Sequence, residues 1–551
     1  MKDQAPLLQI EGLTIDLPAQ ADRRHAVENL SLTLERNQIL CIVGESGSGK
    51  SLMSRAVLGL FPSRHVQPSA GKILFDGEDM LRVSPERMRT LRGNRISMIF
   101  QEPMTALNPV LSIGRQIEEA LAVHKRIDRN DRVRRVVEML EAVNLPEPEK
   151  ILQSYPHQLS GGQRQRAMIA MALMMEPDIL IADEPTTALD VTTQAQILQL
   201  IREVQQKRGM GVLFVTHDFG VVAEIADQVA VMQHGRIVEQ GQAEEILNHP
   251  KAAYTKSLLG SVPSLTPGPK RDFSSSRVML AVHGLKKSFV SGGGLFRGAA
   301  RQVNALDSVN FEIRRGETLG IVGESGSGKS TVARCITRLL DADAGSIHVD
   351  GTDIAGFSQK MLRPIRRRVQ MVFQDPFGSL NPRRTVGQLI AEGPVVHGTP
   401  AALAWERALE LLELVGLERR SADRYPHEFS GGQRQRVGLA RALALQPEIL
   451  VADEPVSALD VSVQAQVLRL LSDIRQKLGL TVLFITHDLR VASQVCDSVA
   501  VMLRGKIVEY GAVADVYAKP QHSYTRELLA AVPGRNWSHG RDAVALNGSA
   551  S

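Results

Sequence analysis

The chain has 551 residues, with 65 Lys and Arg against 60 Asp and Glu, a net charge of +5 and 43% hydrophobic residues. At about 150 residues per domain this length excludes a single small domain, and so small a surplus of positive charge does not point to nucleic acid. No uncharged apolar run reaches the roughly 18 residues that a bilayer span needs, so any membrane role is expected to be peripheral.

From the N-terminus, Met1 to Asp16 carries Lys2, Asp3, Glu11 and Asp16 and lacks the apolar stretch of a signal peptide. The apolar run Ile39 to Val43 predicts a buried strand, and it leads into Gly44-Glu45-Ser46-Gly47-Ser48-Gly49-Lys50-Ser51, a G-x-x-x-x-G-K-S phosphate loop. Its glycines let backbone N–H groups curl around phosphate oxygens. Lys50 supplies charge toward the β- and γ-phosphates, and Ser51 offers a hydroxyl to Mg²⁺. A short strand, Ile96 to Phe100, is expected to present Gln101 to Mg²⁺ or to an attacking water, and Glu102-Pro103-Met104-Thr105-Ala106-Leu107-Asn108-Pro109 follows it. Ser160-Gly161-Gly162-Gln163 opens a helix with Ala167, Met171 and Met174 as its inward stripe. Serine is a good N-cap, and a glycine-flanked helix N-terminus is an anion site. The strand from Asp178 ends in two carboxylates: Asp183 suits the Mg²⁺ shell and Glu184 is placed to polarise water. Val212 to Val215 runs into Thr216-His217, where His217 is expected to sense the γ-phosphate. The first half closes on Tyr254-Thr255, Leu258-Leu259 and Pro263.

The chain is then written again. Ser264 to Val278 reads as an exposed linker, which places the domains at 1–263 and 279–533, with a polar, poorly ordered tail at 534–551. Ser291 to Gln302 reads as a mobile insertion. After the strand Thr318 to Val322 comes Gly323-Glu324-Ser325-Gly326-Ser327-Gly328-Lys329-Ser330-Thr331, whose last hydroxyl has no counterpart at Leu52. Val369 to Phe373 leads to Gln374 and then Asp375 to Pro382; Ser430-Gly431-Gly432-Gln433 precedes Val437, Ala440 and Ala444. Asp453 and Glu454 repeat the acid pair, Thr486-His487 follows Val482 to Ile485, and Tyr524-Thr525, Leu528-Leu529 and Pro533 repeat the tail. The offset is 279 on the lysines and 270 from the SGGQ element onward. Taken singly, these motifs have blander readings: a Gly-rich turn, solvated acids, a structural histidine. Two copies in one order leave those readings little room. Cys41, Cys335 and Cys496 show no metal spacing and read as core residues. A second anion site in each half makes sense if it serves the nucleotide held by the other half.

The order GESGSGKS, Gln, SGGQ, ADEP, ALD (Ala188 to Asp190; Ala458 to Asp460) and THD resembles the ATP-binding cassette (ABC) ATPases over nearly the whole chain. The resemblance implies an α/β fold of two P-loop (RecA-like) ABC ATPase domains in tandem, each with an antiparallel β subdomain and an α-helical subdomain, and ATP and Mg²⁺ as cofactors. It implies two shared sites. One joins Lys50, Ser51, Gln101, Asp183, Glu184 and His217 to Ser430–Gln433, and the other joins Lys329, Ser330, Gln374, Asp453, Glu454 and His487 to Ser160–Gln163. The family stacks adenine on an aromatic, here Phe289, but the matching position in the first half is Leu17.

The Asn-Pro segments after the glutamines and the repeated tails resemble the oligopeptide, dipeptide and nickel branch of bacterial importers, in its fused form. That likeness implies ATP-driven import of peptides or related small solutes from the cytoplasmic face of the inner membrane. The implied partners are two transmembrane permease subunits and an extracytoplasmic solute-binding protein, with no contact to the solute itself. The segments of about 55 residues between each glutamine and its SGGQ would meet the permeases. A soluble twin-cassette ATPase acting on ribosomes or nucleic acid is the rival; its long charged linker and the Cys-x-x-Cys modules of repair ATPases are both missing here. A duplicated kinase would leave SGGQ without a task.

Overall fold

The computed structural model describes residues 5–19, 23–102, 106–186, 189–291, 301–457, 459–535 and 537. Pro103 to Thr105, Ala188, Ala458, most of the Ser291–Gln302 insertion and most of the 534–551 tail therefore lie outside the described residues. The chain divides into two compact units, Met1–Val262 with Val532–Ser551, and Pro263–Ala531.

In the first unit all five residues of Ile39–Val43 are buried, as a strand covered on both faces requires. It lies inside a sheet ordered Arg236–Gln242, Gln228–Gln233, Ile39–Val43, Gly211–Val215, Ile179–Asp183, Ile96–Ile99, parallel except for the first pair. The strands that carry the phosphate loop, the acid pair and the histidine thus end side by side at one edge, where ligands of such sheets gather. An antiparallel sheet, His25–Leu34, Leu8–Asp16, Pro68–Phe75 and Glu78–Asp79, packs Leu8, Ile10, Leu13 and Phe75 into the same core as Leu40 and Ile42. Helices Ile113–His124, Arg129–Ala142 and Pro148–Gln153 follow the Asn-Pro segment.

The second unit has the same plan. Its larger sheet runs Val369–Val372, Ile449–Asp453, Thr481–Ile485, Thr318–Val322, Ser498–Leu503, Lys506–Ala512, and its antiparallel sheet runs Arg301–Arg314, Val278–Ser291, Ala344–Val349, Thr352–Asp353. Ser291, Arg301 and Gln302, assigned from sequence to the insertion, are the paired ends of two strands, Ser291 facing Arg301 and Val290 facing Gln302. Residues 264–277 form no helix or strand. They are nonetheless fastened within this unit: Arg271 donates twice to Asp497, at 2.7 Å each, and Lys270 reaches Asp515 at 2.8 Å.

The stripe predicted for the helix Gly161–Leu173 needs correction. Ala167 and Met174 are buried, but Met171 is only partly buried, while Met168, Ile169, Ala170 and Ala172 are buried too. A helix enclosed on several sides has no single apolar stripe, so a one-face period misassigns its members. All three cysteines are free and buried. Among the described residues, no helix is long and apolar enough to cross a membrane.

Candidate functional site

The phosphate loop of the first unit starts where Ile39–Val43 ends. Gly44 has φ +152°, and a Cβ there would lie 2.2 Å from the Met232 carbonyl; Gly49 has φ +104°, and its Cβ would lie 2.4 Å from the Ala26 carbonyl. Only glycine fits either position. Lys50, 5% exposed, donates to the carbonyls of Gly44 at 2.7 Å and Glu45 at 2.8 Å. Lys329 repeats this with Gly323 and Glu324 at 2.7 and 2.8 Å. The lysine therefore lies along the loop, with its ammonium where phosphate oxygens would enter.

The hydroxyl that follows each lysine meets the acid strand. Ser51 Oγ donates to Asp183 Oδ1 at 2.7 Å, and Ser330 Oγ to Asp453 Oδ1 at 3.0 Å. Burial pushes the Asp183 carboxyl above its ordinary value, against the pull of the Ser51 bond and of Arg55, whose Nη2 is 3.4 Å away. Asp453 is raised for the same first reason. Hydroxyl and carboxylate oxygens at this spot are the hard donors that Mg²⁺ takes, and a cation would relieve the buried charge.

Glu184 and Glu454 are set apart by their backbone. Their φ values of 49° and 45° lie in the left-handed region, uncommon for a residue with a side chain. Each N–H donates to the neighbouring strand, at Val215 and Ile485, over 2.9 Å, which holds the turn. The turn brings the first carboxylate within 3.0 Å of Gln101 Nε2 and 3.3 Å of His217 Nδ1. In the second unit Gln374 and His487 stand at 2.9 and 3.3 Å from Glu454. Burial pushes Glu454 up, but the bond and charge of His487 outweigh it and leave the carboxyl below its ordinary value. The THD segment is locally built: Thr216 Oγ1 accepts from Asp218 N–H at 3.0 Å, and Asp218 caps the next helix through Gly220 N–H at 2.7 Å.

The SGGQ elements open helices Gly161–Leu173 and Gly431–Leu443. Ser160 Oγ accepts from Gln163 N–H at 3.3 Å and Gln163 Oε1 accepts from Ser160 N–H at 3.0 Å; Ser430 and Gln433 repeat both distances. These capping boxes occupy the Gln163 and Gln433 side chains and leave Ser160, Gly161, Ser430 and Gly431 at exposed tips. Phe289, opposite Val303 in its strand pair, is 45% exposed, whereas Leu17 packs against the core. The exposed aromatic face thus belongs to the second unit.

Several contacts escaped the sequence. Arg23 Nη2 donates to Gly47 O at the tip of the first phosphate loop, at 2.5 Å. Gln165 Nε2 donates to Pro185 O beside Glu184, while the matching Gln435 Nε2 is buried with no partner among the described residues. For the Gln165 and Gln435 pair, the repeated second glutamine of SGGQRQR is the sequence signal.

A family profile described as "ABC transporter" matches residues 27–187 and 306–457, and one described as "Oligopeptide/dipeptide transporter, C-terminal region" matches 238–280 and 508–549. The chain is 48% identical over 528 residues to the peptidoglycan transport ATP-binding protein YejF of Agrobacterium fabrum (strain C58), covering 96% of each chain. It is 46% identical over 563 residues to the glutathione import ATP-binding protein GsiA of Salmonella choleraesuis (strain SC-B67), covering 96% of this chain and 90% of that one. Among solved structures, a dimeric post-hydrolysis state of the ATP-binding cassette MJ0796 bound to ADP and Pi is 31% identical, with a TM-score of 0.39, covering 43% of this chain and 99% of that one.

Proposed function

This chain belongs to the ABC transporter family, with two ATP-binding cassettes in tandem, and from that premise we propose that it powers a bacterial importer of peptides or related small solutes. It binds ATP and hydrolyses it to ADP and phosphate. The observation that carries the import reading is the oligopeptide/dipeptide C-terminal region, present once behind each cassette. The chain works at the cytoplasmic face of the membrane, docked under two permease subunits that an extracytoplasmic binding protein supplies, and the solute itself never touches it.

Within each cassette the residues divide the chemistry. Lys50 and Lys329 hold the β- and γ-phosphates. Ser51, Gln101 and Asp183, and their counterparts Ser330, Gln374 and Asp453, would hold Mg²⁺, which neutralises charge on the transferring phosphoryl group. Glu184 and Glu454 take the proton of the attacking water, while His217 and His487 hold the carboxylate and reach toward the γ-phosphate. Phe289 lies under adenine in the second site. The domains 1–263 and 279–533 close on two ATPs, so that Ser430–Gln433 completes the first site and Ser160–Gln163 the second. Moving such an equilibrium from 1:99 to 99:1 takes about 5.5 kcal/mol, roughly 2.7 kcal/mol per nucleotide, which a few charge-assisted contacts supply. Hydrolysis removes the γ-phosphate link and the halves part. No observation favours the ribosomal or nucleic-acid reading.

Co-purification with the permease subunits, followed by ATPase assays in liposomes with the binding protein loaded with peptides or glutathione, tests this. Stimulation by loaded binding protein is expected. An ATPase that ignores those partners and responds to ribosomes would contradict it.

A further inference from the structure

The tail motif has a contact that importer membership alone does not explain. In the first unit Tyr254, on the helix Ala253–Ser261, accepts a hydrogen bond at its phenolic oxygen from the Glu45 N–H at 3.3 Å. In the second unit Tyr524, on the helix Ser523–Ala530, accepts from the Glu324 N–H at 3.1 Å. The loops are 279 residues apart and the tails 270, yet the same pair meets in both units.

Each tyrosine is itself firmly placed. Glu239 accepts from the N–H groups of Lys251 and Ala252 at 2.6 and 3.1 Å, and Glu509 from those of Gln521 and His522 at 2.8 and 3.1 Å, so a strand carboxylate caps the start of each tail helix. Leu258, Leu259, Leu528 and Leu529 are buried beneath the helices.

The other side of the same loop residue is held by the loop lysine: the Glu45 carbonyl accepts from Lys50 and the Glu324 carbonyl from Lys329, both at 2.8 Å. When a triphosphate enters, the lysine must turn to its oxygens and loosen its grip on that carbonyl. The tyrosine engages the N–H of that residue and the lysine its carbonyl, so the two grips use different atoms and one can be released while the other is kept. We propose that Tyr254 and Tyr524 are positioning residues of the two ATP sites: the tail holds the entrance of each phosphate loop in its receptive shape while the lysine changes partners. This rests on the ATP-site assignment given above.

The test uses the full-length protein with Tyr254→Phe, Tyr524→Phe and the double variant, in which the ring stays and only the hydroxyl is lost. Affinity for ATP and for inorganic tripolyphosphate is read by competition with a fluorescent ATP analogue, beside kcat, KM and the nucleotide-free Tm. The double variant is expected to bind both ligands about three- to tenfold more weakly, as loss of one neutral hydrogen bond per site implies. KM should rise in step, with kcat within about twofold and the nucleotide-free Tm unmoved. Wild-type affinity and KM in the double variant would overturn the proposal, as would a fall in Tm with affinity intact. A wild-type protein that binds no ATP would instead overturn the ATP-site assignment itself.

Discussion

Gln101 Nε2 donates to Glu184 Oε2 at 3.0 Å, joining a residue that follows one edge strand to the carboxylate that follows its neighbour. Beyond Gln101 the chain runs into the helices Ile113–His124 and Arg129–Ala142, so the segment proposed to meet the permeases begins at a bond to the proposed base. Gln374 and Glu454 repeat it at 2.9 Å. Displacing the helices would be felt at the carboxylate through this bond.

Replacing both glutamines by alanine is therefore expected to uncouple the protein. Basal ATPase should fall with the lost Mg²⁺ ligand, and the ratio of stimulated to basal rate should fall about tenfold further, the worth of one charge-assisted hydrogen bond. Phosphate release with and without the binding protein checks this, and equal losses in both conditions would speak against the coupling role.

Glu184→Gln with Glu454→Gln keeps the size of each side chain, turns one accepting oxygen into a donating NH₂ and removes the proton acceptor. Turnover is expected to fall by at least about 100-fold with ATP still bound. Filter retention of labelled ATP beside phosphate release would reveal it, and normal multiple turnover would refute the assignment of these residues.

The second cassette carries a pH signature. Burial pushes His487 down, but Glu454 at 3.3 Å outweighs it and lifts the imidazole above its ordinary 6.5; Glu454 is held below its ordinary 4.5 by the same pair, against burial. A raised imidazole value adds stability that is full below 6.5 and is lost as pH rises through the folded value. The depressed carboxyl adds stability above 4.5 that is lost as pH falls through its own folded value. The pair is thus worth most between those limits. His487→Gln is expected to lower the Tm by a few degrees at pH 6 and by less at pH 8.5, as calorimetry at the two values would record.

The two nucleotide sites should differ in how they hold the base. Phe289 offers an exposed ring and Leu17 does not. Phe289→Leu is expected to weaken ATP binding by about two- to tenfold, the worth of an aromatic contact, and leave tripolyphosphate binding unchanged. Titrating a Lys50→Ala background isolates this site, and equal weakening of both ligands would remove the base-stacking role.

What the sequence could convey depended on how contiguous each feature is. The phosphate loops, acid pairs and SGGQ caps are legible because a few adjacent residues carry both their shape and their chemistry. The left-handed turn at Glu184 is not, since nothing in a glutamate announces a positive φ. A one-face period places Met171 inward, but its helix is enclosed on several sides and leaves that residue only partly buried. Arg23 at Gly47 and Gln165 at Pro185 depend on how separate segments return to one another, which no local pattern encodes.

The most direct measurement is a structure of the Glu184→Gln, Glu454→Gln protein with ATP in both cassettes. Ser430 is expected within about 3 Å of the γ-phosphate held by Lys50, and Ser160 equally near the one held by Lys329. Two occupied cassettes in full engagement, with both serines remote from any triphosphate, would contradict it.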